Sequence, residues 1–202
     1  TGKEVVSSEM MKEVERCRLA LTTAESGKDV ALVSGGDPGI YAMAGLVYEL
    51  AKETNSSCKI EIIPGIAAVN GCAARLGAPL MHDFAAVSLS DLLTPWEVIE
   101  KRLTAVAMAD FVTAIYNPRS KRRTDQIVRA REIFLAHRSP DTPVGIVTAA
   151  TRDNEVVTVT TLEKMLDCQI GMQSTVIIGN SQTYTWKDLM ITPRGYRDKY
   201  QL

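Results

Sequence analysis

The sequence predicts an α/β fold. Short apolar and β-branched runs alternate with segments in which apolar residues recur every three or four positions, a pattern typical of strands connected by helices. Several strand-like runs end directly in a loop that carries glycine or asparagine. The chain has 202 residues, of which 46% are hydrophobic, so its length allows one domain or two small ones.

A first helix is predicted from apolar residues at helical spacing, namely Met10, Met11, Val14, Cys17, Leu21 and Ala24. Ser7 or Ser8 would cap its start, and Gly27 would end it. The pattern then predicts strands over 30–33 and 60–63 and helices over 42–52 and 66–76. Since strands alternate with helices here, we expect a parallel sheet.

The segment Thr94-Pro95-Trp96-Glu97 has the pattern of a capping box with proline at the first helical position, and it predicts a helix over 95–107. The alternation restarts after residue 109, with strands over 111–116, 143–147, 156–159 and 175–178 and helices over 124–137 and 162–166. We therefore predict an N-terminal α/β domain over 1–109 and a C-terminal α/β domain over 110–202.

The strongest candidate for a ligand loop is the run from Ser34 to Tyr41. Its three glycines allow the backbone to approach a ligand closely, and Asp37 adds a carboxylate suited to hydroxyls, amides or a cationic group. The loop has neither the Gly-Lys-Ser/Thr of a triphosphate site nor the Gly-x-Gly-x-x-Gly of a dinucleotide site. The alternative is a plain turn in which Asp37 caps the next helix.

Four loops follow strand-like runs directly: residues 35–37, 64–65, 117–118 and 179–180. Because open α/β sheets bind ligands at the carboxyl ends of their strands, we expect the four loops to line one cleft between the two halves. The alternative is chance placement, since every strand must end in a turn.

Three motifs indicate a family: Gly-Gly-Asp-Pro-Gly-Ile-Tyr at 35–41, Ile-Ile-Pro-Gly-Ile-Ala-Ala at 62–68 and Ala-Ile-Tyr-Asn-Pro at 114–118. With them the chain resembles the tetrapyrrole methylases, which use S-adenosylmethionine. The run Ser-Leu-Ser-Asp-Leu-Leu-Thr-Pro-Trp-Glu at 88–97 is more specific and resembles the precorrin-3B or cobalt-precorrin-3 C-17 methyltransferase branch.

The resemblance implies a two-domain fold, each domain a mixed sheet with flanking helices, with the methyl donor held between the domains of a homodimer. The implied activity is methylation of C-17 with ring contraction in cobalamin synthesis. The alternatives are a methylase that acts at another position and an inactive, truncated donor-binding module. The resemblance assigns the following residues to the donor, S-adenosylmethionine: Gly35, Gly36, Asp37, Ile40, Ala67, Ala68, Asn117 and Gly179.

Ring contraction would gain from a positioned acid or base, and the polar candidates near the family-specific run are His82, Ser90 and Asp91. The alternative is that Ser90 and Asp91 organise a turn and that His82 satisfies a backbone group. Displacement from an activated sulfonium requires neither a metal ion nor a nucleophilic residue, because orientation of the reactants is the main task.

A basic cluster, Arg119 with residues 121–123, lies at a predicted helix start, where positive charge opposes the helix dipole. It suggests an anionic partner, and a tetrapyrrole with acetate and propionate groups fits, with Arg119 and Arg123 as substrate-binding residues. A solvated surface is the alternative. Nucleic acid is a poorer explanation, because the net charge of the chain is -1.

The chain shows no apolar run of the roughly 18 residues that a membrane span needs, and it opens without a secretory signal, so we expect a cytoplasmic protein. Its four cysteines lack metal-site spacing. Members of the family begin with a strand and a glycine loop that do not precede Thr1 here, so the N-terminal domain is expected to lack them.

Overall fold

The structure, a computed structural model, describes residues 2–8 and 12–201. The chain divides into two compact units, Thr1–Ala67 and Ala68–Leu202. Met10 and Met11, which belong to the pattern of the predicted first helix, lie outside the described residues. Within the described ranges, no helix is long and apolar enough to cross a membrane.

The first unit is built around two helices, α1 (Glu13–Glu25) and α2 (Ala44–Glu53). Their apolar side chains bury one another, and Leu32 and Ile60 pack against this cluster from the segments that precede and follow α2. The buried members of the cluster are Cys17, Leu21, Met43 and Leu50. Cys17 and Leu21 of the predicted apolar pattern are therefore buried, whereas Val14 is 47% exposed.

The strands predicted over 30–33 and 60–63 are wrong, because neither segment joins a backbone ladder in the part of the chain that the structure describes. A strand needs hydrogen bonds from a partner, and an apolar run does not specify that partner. The predicted cap of α1 is wrong as well. The helix begins after Lys12, and Ser8 accepts a hydrogen bond from Arg16 Nε through its Oγ at 2.6 Å instead.

Within the residues that the structure describes, all strands lie in the second unit. In chain order they are β1 (Gly77–Ala78), β2 (Phe84–Ser88), β3 (Val112–Tyr116), β4 (Pro143–Thr148), β5 (Val156–Thr161), β6 (Ser174–Ile178), β7 (Tyr184–Trp186) and β8 (Leu189–Ile191). They form a five-stranded sheet in the order β2-β3-β6-β4-β5 and a three-stranded sheet in the order β1-β8-β7. The predicted mixed α/β architecture is confirmed.

The direction of the strands decides which loops share an edge of the large sheet. β2 is parallel to β3, whereas β6 is antiparallel to both β3 and β4. Because β3 and β4 both oppose β6, they run in the same direction. The carboxyl ends of β2, β3 and β4 therefore lie at one edge of the sheet, which we call the carboxyl edge.

Helices cover both faces of this sheet. Apolar side chains of α4 (Trp96–Met108) and α5 (Asp125–Leu135) join the main core on one face, together with Val144 and Ile146 of β4. On the other face, α3 (Ala68–Leu76) packs Leu76 against Gly145. Successive residues of a strand point to opposite faces of the sheet, so Gly145 faces away from Val144 and Ile146. The remaining helical segments are a 3-10 turn at Met165–Asp167 and α6 (Tyr196–Lys199).

One prediction about this unit needs correction. Thr94 does not cap α4, because Pro95 occupies the cap position and its carbonyl accepts hydrogen bonds from the N–H groups of Val98 at 3.0 Å and Ile99 at 3.3 Å. β2 and α4 pack on β3, so residues on both sides of the boundary predicted between 109 and 110 belong to the second compact unit. The division into domains over 1–109 and 110–202 stays a prediction.

Candidate functional site

In the first unit, the carboxylate of Asp37 holds two loops together. Its Oδ1 accepts a hydrogen bond from the Gly39 N–H at 2.8 Å, and its Oδ2 accepts one from the Gly65 N–H at 3.0 Å. These bonds, that from Gly65 first, hold the pKa of Asp37 below its usual value. The predicted ligand loop and the Pro64-Gly65 turn are therefore neighbours within the first unit.

Glycine is needed where these two loops touch. A Cβ atom on Gly65 would overlap the carbonyl oxygen of Gly36 and would lie 3.1 Å from its carbonyl carbon. Gly36 itself has a φ of +78°, a conformation that other residues rarely adopt. At Gly35, by contrast, a Cβ would meet no atom within 4 Å. Gly36 and Gly65 thus serve the contact between loops, whereas Gly35 faces open space.

The plain capping role considered for Asp37 does not occur. Helix α2 begins at Ala44 with Met43 at its cap position, and no side chain caps it. The side chains of Ile40 and Tyr41 are exposed in the loop. The backbone of Tyr41 adopts a left-handed φ of +52°. An exposed apolar pair in a loop fixed by a carboxylate is consistent with a ligand site, and it adds nothing to the core.

In the second unit, Asn117 lies at the carboxyl edge directly after β3. Its backbone has a φ of +49°, and its side-chain amide donates to Ser88 Oγ at the end of β2 with a distance of 2.9 Å. The Arg123 guanidinium donates through Nη2 to the Asn117 carbonyl at 2.8 Å. Asn117 is therefore held from both sides in a conformation that asparagine tolerates better than most residues.

The start of α3 lies at the same edge. The Val69 N–H donates to the Tyr116 hydroxyl at 2.9 Å, which ties the first turn of α3 to the end of β3. Ala68, the first residue of α3, is exposed, whereas Ala67 in the first unit is buried. Of the two alanines assigned to the donor, Ala68 thus lies at the same edge of the sheet as Asn117.

The three acid–base candidates do not form one group. Ser90 and Asp91 follow the end of β2, with the Ser90 N–H donating to Ser88 Oγ at 3.2 Å and Asp91 accepting from Gln126 Nε2 at 2.8 Å. His82 precedes β2, at the opposite end of a strand that spans roughly 13 Å at about 3.3 Å per residue. Its Nδ1 accepts the Asp83 N–H at 2.8 Å, which is the backbone role considered as an alternative.

The two arginines assigned to the substrate differ in their surroundings. Arg119 is exposed and makes no hydrogen bond or ion pair with the rest of the described chain. Arg123 is half-buried, donates to Asn117, and has its backbone N–H bonded to Ser120 Oγ at 3.1 Å. Arg119 is therefore free to meet a ligand, whereas Arg123 organises the loop.

The expectation that all four loops line one cleft is wrong for Gly179. Because β6 is antiparallel to β3, Ile178 pairs with Thr113, and Gly179 lies at the edge opposite to Asn117. There the Gly179 carbonyl accepts a hydrogen bond from the buried side chain of Arg138. Burial lowers the pKa of Arg138, and the nearby carboxylate of Asp110 opposes this effect. Gly179 thus belongs to a structural contact.

The match with known proteins covers most of the chain. Residues 2–166 match the family model described as Tetrapyrrole (Corrin/Porphyrin) Methylases. The chain belongs to the tetrapyrrole methylases. A crystal structure described as the methyltransferase CobJ superposes on this methylase with a TM-score of 0.85 at 37% identity, over 92% of this chain and 79% of the other.

Two relatives extend the comparison. The methylase is 55% identical over 206 residues to the cobalt-factor III methyltransferase of Priestia megaterium, which covers all of this chain but only 38% of the relative. It is 50% identical over 194 residues to the probable cobalt-factor III C(17)-methyltransferase of Salmonella typhimurium, covering 96% of this chain and 80% of the relative. The chain thus spans about two fifths of the first relative and most of the second.

One loop of the methylase at the carboxyl edge escaped the sequence analysis. It follows β4, and Ala149 and Thr151 in it adopt left-handed φ values of +51° and +65°. The Glu155 carboxylate accepts hydrogen bonds from the Thr151 N–H and from Arg75 Nε of α3, the latter at 2.9 Å, and these hold its pKa below the usual value. No glycine marks this loop, so only the backbone conformation reveals it.

The described residues contain no group of three or more histidine, cysteine, aspartate and glutamate side chains placed to hold a metal ion. Cys72 is buried, and burial raises the pKa of its thiol.

Proposed function

We propose that this chain is the S-adenosylmethionine-dependent C-methyltransferase of cobalamin synthesis that methylates C-17 of cobalt-precorrin-3 or precorrin-3B with ring contraction. The observation that carries the proposal is 50% identity to the probable cobalt-factor III C(17)-methyltransferase of Salmonella typhimurium over 80% of that protein. The 55% identical relative from Priestia megaterium is also named for cobalt-factor III, which favours the cobalt-bearing substrate.

The residues of the first unit fit a sulfonium donor. Asp37 supplies a negative charge, and a carboxylate that already accepts two backbone N–H groups retains lone pairs for a ligand. The exposed position of Gly35 lets an adenosyl group approach the backbone closely. We assign Gly35, Gly36, Asp37 and Ile40 to the donor on this basis, and Ala67 on the motif alone.

The family resemblance also assigns two residues at the carboxyl edge of the second unit to the donor. Asn117 presents a fixed amide and Ala68 begins an exposed helix start beside it. When bound, S-adenosylmethionine supplies a methyl group on a positively charged sulfur that leaves as a neutral thioether. The task of these residues is to orient the reactants and exclude water, because a displacement is faster when the reacting atoms are held close together and in line.

Asp91 is the strongest candidate for moving a proton during ring contraction. Its Oδ2 is oriented by Gln126, and it lies on the same loop as Ser90 past the end of β2. His82 lies at the other end of that strand, so a shared role with Asp91 is not supported. Ser90 and Asp91 remain acid–base candidates on one loop, and His82 remains a candidate apart from them.

The experiment is a pair of measurements on the same preparation. Calorimetric titration with S-adenosylhomocysteine measures donor binding, and incubation with S-adenosylmethionine and cobalt-factor III, followed by mass spectrometry, measures the gain of one methyl group. Donor binding with methylation of cobalt-factor III supports the proposal. Methylation of uroporphyrinogen III alone would favour the alternative of a methylase with another acceptor. Donor binding without turnover of either would favour a binding module.

The family resemblance also supports a homodimer in the cytoplasm. Analytical ultracentrifugation over a range of concentrations tests the dimer, and a monomer at all concentrations would contradict it.

A further inference from the structure

Two adjacent leucines of the second unit lie on the surface next to the carboxyl edge. Leu92 is 72% exposed and Leu93 is 92% exposed. A single exposed leucine is ordinary, but two neighbouring ones make an apolar patch that gains nothing from the fold of their own unit. They lie in the segment between the end of β2 and the start of α4.

The exposure of the leucines is built into a fixed loop. Before them, Leu89 is fully buried and its N–H donates to the Tyr116 carbonyl at 3.0 Å. Asp91, directly before Leu92, is bonded to Gln126 of α5 at 2.8 Å. After them, Pro95 begins α4. Because both ends are held, the two side chains cannot turn into the core without breaking these contacts.

Positive charge lies beside this patch. The loop after β3 carries Arg119, Lys121 and Arg122, all exposed. The two loops leave the sheet side by side, because Ser88 pairs with Tyr116 in the parallel ladder. The Asn117–Ser88 hydrogen bond connects them further, and Gln126 at the start of α5 bonds to Asp91 of the loop after β2. An apolar pair and a row of cations therefore share one corner of the unit.

We propose that Leu92 and Leu93 form the apolar part of a docking surface for the tetrapyrrole, with Arg119, Lys121 and Arg122 as its cationic part. The inference rests on the proposed function and names the contact region of its substrate. A tetrapyrrole combines a flat apolar face with carboxylates along its rim. Its face covers the leucines while the rim carboxylates pair with the basic loop, so the apolar and the charged parts of the ligand each meet a matching part of the surface.

The test replaces Leu92 and Leu93 together by serine. Because both side chains are exposed, the double variant keeps its fold. Burying about half of each leucine under a flat ligand predicts that the Kd for cobalt-factor III, followed by its absorbance spectrum, rises at least about tenfold. The Kd for S-adenosylhomocysteine stays within about twofold of wild type, because surface substitutions away from a ligand have small effects.

Met108→Ser is the matched control. Met108 is 67% exposed but lies at the far end of α4, away from the start of that helix at Pro95. This variant should bind cobalt-factor III with unchanged Kd. A tenfold loss in the control as well would overturn the inference, because it would show a general effect of surface polarity.

The outcomes separate the inference from the proposed function. Wild-type methylation of cobalt-factor III with an unchanged Kd in the leucine variant would overturn the docking surface and leave the function intact. No binding of cobalt-factor III by wild type would overturn both. A change of mass in analytical ultracentrifugation for the leucine variant, with unchanged substrate Kd, would assign the patch to a second copy of the chain.

Discussion

Replacing Gly65 by alanine tests the loop contact on which the donor site depends. A Cβ atom there would overlap the Gly36 carbonyl oxygen and would lie 3.1 Å from the Gly36 carbonyl carbon and 3.4 Å from Asp37 Cα. All three contacts are with backbone, which cannot rotate away as a side chain can. The Pro64-Gly65 turn must therefore move away from the ligand loop and lose the hydrogen bond from Gly65 to Asp37.

The expected cost follows from this crowding. Inserting one methyl group into a closely packed contact costs about 1 to 3 kcal/mol. If the free loop relaxes and the donor requires the original arrangement, that energy is lost from binding and the Kd for S-adenosylhomocysteine rises about 5- to 150-fold. If the loop does not relax, the same energy is lost from the free energy of unfolding.

The assay is calorimetric titration with S-adenosylhomocysteine together with urea unfolding, on wild type and Gly65→Ala. Gly45→Ala is the control, because Gly45 lies in α2 and a Cβ there would meet no atom within 4 Å. Alanine in a helix is favoured over glycine by about 1 kcal/mol, so the control should be slightly more stable and bind the donor normally.

Unchanged affinity and unchanged stability in Gly65→Ala would refute the reasoning, because the clash must appear in one of the two. A loss of stability with normal affinity would keep the contact between the loops but remove its link to the donor. Gly35→Ala separates these cases further. It has space for the methyl group in the protein, so weaker donor binding there reports a close approach of the ligand.

Three more predictions follow from named contacts. The N–H groups of Gly65 and Gly39 lower the pKa of Asp37, so the contribution of its carboxylate to donor binding is complete above the usual aspartate pKa and is lost as pH falls through the lower folded value. Asp37→Asn should remove this loss of S-adenosylhomocysteine affinity at acid pH, measured in a pH series. Arg119→Ala should weaken cobalt-factor III binding at low salt and not at high salt. Arg123→Ala should instead lower the free energy of unfolding by about 1 to 2 kcal/mol, because it removes the hydrogen bond to Asn117, and the reversed pattern would contradict both roles. Gly179→Ala would place a methyl group 2.7 Å from Thr183 Cβ, so it should destabilise the fold by about 1 to 3 kcal/mol while donor affinity stays normal; a selective loss of affinity would restore Gly179 to the donor site.

Local pattern predicted the helices well. α1, α2, α3, α4 and α5 all lie where apolar residues recur at helical spacing, because burying one face of a helix requires that spacing in any fold. The errors fall at helix starts. Thr94 and Ser8 both have the right chemistry for a cap, yet the cap depends on where the first turn begins, and Pro95 and Lys12 hold that position.

The part of the candidate site that depends on short segments of the chain could also be predicted. The motif around Asp37 marked a loop, and the carboxylate does organise that loop, since its bonds to Gly39 and Gly65 need only short segments to meet. The loop of Ala149 and Thr151 went unnoticed, because neither residue type signals a left-handed backbone. The sequence could not show that Arg123 is occupied by Asn117 while Arg119 remains free.

The residues by themselves determined the family, the α/β class and the loops that carry glycine, asparagine or aspartate, because these depend on local order along the chain. Only the tertiary structure decided which of those segments meet. The antiparallel pairing of β6 with β3 sends Gly179 to one edge and leaves Asn117 with Ser88 and the start of α3 at the other. Strand direction is set by long-range hydrogen bonding, and no single segment contains that information.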